Sequence, residues 1–221
     1  MKISKRLMAV SMALPLAVVG SASAEDFSPT GSFSLDPAKV KANPSVRIQL
    51  AQDSGEEELD HVTLVVPAGF KLPTDAKIEN GDILGTADLA IDVGPRCAGG
   101  GPLSAPASFP DRNIIERDRT DEQADEGVKA VWIVDLEPVT RITLEMKGSP
   151  RKGYTLSGNI PANQFTCPPL TFDGTISAKS DGGVPIFKNP GKPGKYTFKA
   201  IFKSQESSAT HTITSKIKIS R

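Results

Sequence analysis

Apolar and polar residues alternate with a period of two along much of the chain. Val46, Ile48 and Leu50 alternate with Arg47 and Gln49. Ala87, Leu89, Ile91 and Val93 alternate with Asp88, Ala90 and Asp92 in a stretch from Ile83 that Asn80-Gly81-Asp82 opens. Ile142, Leu144 and Met146 alternate with Arg141, Thr143, Glu145 and Lys147. Each is the signature of a half-buried strand. Ser32–Leu35, His61–Val66, a segment starting at Tyr154 and Leu156, and one marked by Leu170, Phe172 and Ile176 add shorter candidates. Gly174 reads as a bulge and Pro185–Phe187 as an edge segment, while Pro67-Ala68-Gly69 ends a strand because proline cannot donate to a ladder. Val128–Leu136 stands apart. It holds the single tryptophan, Trp132, and is apolar at both parities, so a central strand buried on both faces is expected.

The last hairpin is the clearest. Tyr196, Phe198, Ala200 and Phe202 face in, Ser204–Ser208 turns, and Ile213, Ile217 and Ile219 face in on the return. No convincing amphipathic helix is seen. Roughly ten short strands, with many Gly and Pro and few aromatics, predict an all-β fold, an antiparallel Ig-like β-sandwich. Periodicity fails over 94–127, which contains Gly99-Gly100-Gly101 and a charge run from Asp111 to Glu126. That stretch is expected to be one long irregular loop, disordered for want of apolar residues to bury. No internal repeat divides the chain, so a single domain over 25–221 is expected. Two Ig-sized halves meeting near Gly127 are the alternative.

The N-terminus changes the picture of where this domain works. Lys2, Lys5 and Arg6 precede an apolar run, Leu7–Gly20, and Ala22-Ser23-Ala24 is a small-residue cleavage site. Residues 1–24 therefore read as a general secretion signal peptide with a mature start at Glu25. The run is short for a membrane span, and no cysteine follows it to carry a lipid anchor. Removing the three basic residues of the leader leaves 23 basic against 26 acidic. That balance argues against a general nucleic-acid binder.

Several phrases carry a resemblance: Val62–Phe70 (VTLVVPAGF), Asn80–Ala87 (NGDILGTA), Cys167-Pro168-Pro169, Asn189-Pro190-Gly191 and Pro193–Phe198 (PGKYTF). Together they resemble uncharacterised secreted β-sandwich proteins of actinobacteria. The resemblance implies a fold and an extracytoplasmic location and brings no activity or site residues with it.

Candidate chemistry is sparse. Cys97 and Cys167 are the only cysteines, and in a chain bound for an oxidising compartment they are expected to form a disulfide. His61 and His211, the only histidines, lack a G-x-S-x-G elbow or closely spaced metal ligands and read as strand residues. Glu56, Glu57, Glu58 and Asp60, and Asp118, Asp121, Glu122, Asp125 and Glu126, lack the spacing of a calcium loop and read as solvated turns. Gly99-Gly100-Gly101 is not placed between a strand and a helix to cradle phosphate, so no cofactor is expected. Eight basic residues and only Glu206 on the acidic side fall within Lys188–Arg221. If Ala200 pairs near Ile213, then Lys195, Lys199, Lys203, Lys216 and Lys218 share one outer face. That face is either a solvated guard against edge-to-edge aggregation or a patch for an anionic envelope polymer or surface. The expected function is that of a secreted or envelope-associated, non-catalytic binding or structural protein, with its partner unspecified. A carrier holding an apolar ligand between its sheets, and an enzyme of unspecified class, are the alternatives.

Overall fold

The structure is a computed structural model and describes residues 27–53, 56–73, 77–91, 107–137, 140–160 and 170–221. The expected leader and both cysteines lie outside the described residues. Among the described residues there are eleven strands: β1 (Thr30–Asp36), β2 (Ser45–Gln52), β3 (Leu59–Val66), β4 (Ile83–Ile91), β5 (Ala107–Arg117), β6 (Val128–Leu136), β7 (Thr140–Ser149), β8 (Gly153–Asn159), β9 (Leu170–Ile176), β10 (Gly194–Ser204) and β11 (Thr210–Ile219). One helix among the described residues, α1 (Asp121–Asp125), lies between β5 and β6.

All-β and antiparallel hold. The Ig-like sandwich is not established by the strand order. All eleven strands form one sheet, ordered β1-β2-β9-β4-β5-β6-β7-β8-β3-β10-β11, with every neighbouring pair antiparallel. The sheet curls until its two edges meet. The Phe33 backbone N–H donates to Ser215 Oγ at 2.9 Å, and past the strand ends Val40 N–H donates to Ser220 O and Ser220 N–H to Ala38 O. A curled sheet leaves little edge to pair with another chain.

The irregular stretch expected over 94–127 is ordered over much of its length, and two local features hide this from the sequence. In β5, Asp111 takes a left-handed φ of 54° and adds one residue to the strand, so Phe109 pairs with Leu89 but Arg112 with Ala87. The inward parity therefore switches midway through the strand. In α1, the Thr120 hydroxyl accepts from Gln123 N–H while the Gln123 side chain accepts from Thr120 N–H. This capping box stabilises a single turn with no buried residue. Gly174, expected at a bulge, sits instead in unbroken register between Ile48 and Ala87. The Phe172 ring lies over it, 2.7 Å from where a Cβ would stand.

Val128–Leu136 is the central strand expected. Val131 and Ile133 are buried on one face, and Ala130, Trp132, Val134 and Leu136 on the other. One end of the barrel is closed by the connections 67–82 and 177–193. These meet through paired backbone hydrogen bonds between Lys71 and Lys188 and bury Phe70, Ile186 and Phe187. Phe70 packs edge-on against Phe198 and Tyr196, at 5.0 and 5.4 Å between centroids. The Asn189 amide donates to Pro37 O and Lys39 O, tying this plug to the β1–β2 turn. At the opposite end, most connections run through residues outside the described set.

Candidate functional site

The inward face of the barrel is apolar almost throughout, and the side chains do not fill it. A cavity of about 110 Å³ remains, bordered among the described residues only by apolar residues and Gly174. Trp132, Val134 and Leu136 reach it from β6, Leu156 from β8, and Phe198 and Phe202 from β10. The volume is of the order of an engineered cavity of roughly 150 Å³, lined by Leu, Ile and Phe, that stays dry and takes up benzene. Water gains little there, because it needs two to four polar partners.

One polar atom breaks this uniformity. Trp132 is only 2% exposed, and its indole Nε1–H has no hydrogen-bond partner among the described residues. Phe187 packs near edge-on against the indole, with ring centroids 6.3 Å apart. Gln52, Arg112 and Glu116 also turn inward, as their cross-strand partners show, but among the described residues only Trp132 of the polar-bearing side chains borders the cavity.

The register that brings Ala200 opposite Ile213 is present in the β10–β11 hairpin. It places Lys195 opposite Lys218, Lys216 opposite Thr197, and Lys199 and Lys203 farther along the same outward parity. All five lysines are exposed. Lys203 pairs with Asp60 at 3.3 Å, and the other four take part in no ion pair among the described residues.

The histidines stand on different strands, with β10 between them: His61 on β3 and His211 on β11. His61 meets partners that sequence reasoning missed. Its Nδ1 lies 2.8 Å from Asn159 Oδ1, and its Nε2 lies 3.0 Å from Ser157 Oγ and 3.2 Å from Thr63 Oγ1. An amide oxygen only accepts, so Nδ1 donates to it, and a neutral ring accepts at Nε2 from a hydroxyl. The order hydroxyl, imidazole, orienting amide is that of an activated nucleophile. The cluster nevertheless sits on the outer face of a ladder. β8 pairs with β3 from Tyr154 to Asn159 and with β7 from Gly153 to Ser157. The cluster forms a cross-strand polar network. The pairings His61–Asn159 and Thr63–Ser157 that create it are long-range, and no spacing in the sequence marks them.

Glu57 departs from the solvated turn expected of it. It is buried, and its Oε2 accepts from the hydroxyls of both Ser204 and Ser207. These hydroxyls hold its carboxyl below the usual carboxylate range, against the opposing effect of burial. Glu56 accepts from the backbone of Ser28 and Asp53, and Asp121 and Glu122 fall in the first turn of α1. Among the described residues no group of three or more His, Cys, Asp or Glu side chains is placed to hold a metal ion. No described helix is long and apolar enough to cross a membrane.

Compared with known proteins, the chain matches no family model and no curated relative.

Proposed function

We propose that the protein is an extracytoplasmic, non-catalytic carrier that holds a small apolar molecule inside its barrel. The observation that carries the reading is the unfilled cavity, bordered among the described residues only by apolar side chains and Gly174. Interiors normally pack to crystal-like density, and an unfilled core forfeits dispersion contacts. A space kept open at that cost is best explained by an occupant. Residues 1–24, read as a signal peptide, support a site of action outside the cytoplasm. The test is native mass spectrometry of protein purified from its own source, followed by uptake of an apolar fluorophore by the extracted protein. The expected result is a co-purified apolar mass, and probe uptake once it is removed. Neither mass nor uptake would end the reading.

A second reading rests on the five exposed lysines of β10 and β11. Their common face suits an anionic envelope polymer or surface. Binding there would be compatible with a carrier that delivers its cargo at the envelope.

A further inference from the structure

The cavity raises a question that the carrier reading leaves open, namely what kind of molecule it suits. Buried polar groups in native structures are nearly always paired, and each exception asks for an explanation. Trp132 Nε1–H is such an exception, and Trp132 borders the cavity. The unpartnered amide oxygens of Gln52 and Asn189 do not border it. The donor left bare is therefore the one that an occupant would meet. Water is a poor candidate, because among the described residues the remaining border offers it no second partner.

We propose that the occupant is a slim apolar molecule, one alkyl chain or small ring, bearing a single hydrogen-bond acceptor such as a carbonyl or ether oxygen that takes the Trp132 Nε1–H. The inference rests on the carrier reading and specifies the ligand of that same cavity. A pure hydrocarbon would fill the space but leave the donor unpaired. A ligand with several polar groups would bury some of them against Leu, Ile and Phe, which is costly. A carbonyl buried without a partner is also penalised, so pairing it with the indole sets the preference. One such hydrogen bond of about 1 kcal/mol corresponds to roughly a fivefold preference.

The test uses a straight-chain methyl ketone and the alkane of the same length as probes on the mature protein. Trp132 is the only tryptophan, so its indole N–H gives a single cross-peak in a nitrogen–proton correlation spectrum. The ketone should move that peak downfield and slow its exchange with solvent, while the alkane leaves both nearly unchanged. In Trp132→Phe, calorimetric titration should show the ketone-to-alkane affinity ratio falling about fivefold or more, with alkane binding retained. An indole peak that responds alike to both probes would overturn the anchor and leave the carrier standing, even where the variant fails to fold. Wild-type protein that binds neither probe would overturn both.

Discussion

Two side chains set expectations at the residue scale. Trp132 is buried in the middle of the central strand and packs against Phe187 of the plug, so truncation removes burial on the inner face and enlarges an existing cavity. Trp132→Ala should cost roughly 3–5 kcal/mol in chemical denaturation. A loss under about 1 kcal/mol would show that the site collapses freely around the change. Glu57 makes a different prediction. Its folded-state pKa lies below the unfolded value because Ser204 and Ser207 donate to the ionised carboxylate. The resulting stability is fully present above the unfolded value of about 4.3 and is lost as pH falls through the lower folded pKa. Glu57→Gln should therefore lower Tm near neutral pH, with the gap from the wild type closing as the solution is made acid. A gap that stays constant down to pH 3 would count against the hydroxyls as its cause.

At the scale of elements, β10 and β11 show what alternation can deliver. Phe198, Ala200 and Phe202 face in while Lys195, Lys199 and Lys203 face out, and the register of one hairpin then fixes the side of every residue on the return strand. If the lysine face serves a partner, the mature protein should bind isolated cell envelopes at low salt and release them at high salt. Changing Lys195, Lys199, Lys203, Lys216 and Lys218 to glutamine should abolish that binding. Binding indifferent to both would reduce the face to a guard against aggregation. The same alternation made β2, β7 and the inner face of β6 legible. It failed at β5, where the extra residue Asp111 switches the parity between Phe109 and Arg112, so neither half is long enough to register as a strand. It failed again at α1, whose single turn buries nothing and whose capping box lies within a run of charges. The buried carboxylate of Glu57 and the His61 cluster were illegible for another reason: their partners lie far away in sequence, Ser204 and Ser207 for one, Ser157 and Asn159 for the other.

At the scale of the whole molecule, strand order decides between two sheets and one curled sheet. That order depends on pairings such as β2 with β9 and β3 with β8, which no local pattern encodes. The same order bears on Cys97 and Cys167, which lie outside the described residues. Ile91, at the end of β4, pairs directly with Leu170, at the start of β9. The segment that carries Cys97 leaves the sheet beside the point where the segment carrying Cys167 enters it. Five residues lie between Ile91 and Cys97 and two between Cys167 and Leu170. That length easily spans the Cα separation of up to about 7 Å that a disulfide tolerates. Such a bond would clasp the ends of the chain excursion that builds β5, β6, β7 and β8, at the end of the barrel opposite the Phe70 and Phe187 plug. Its expected stabilisation, for a loop of this size, is roughly 4 kcal/mol on the chain-entropy account. The mature protein should take up no alkylating label until it is reduced. The double variant Cys97→Ser, Cys167→Ser should unfold at correspondingly lower denaturant. Two labels on the unreduced protein, or a double variant as stable as the wild type, would show that hydrogen bonds and packing alone hold that end of the barrel.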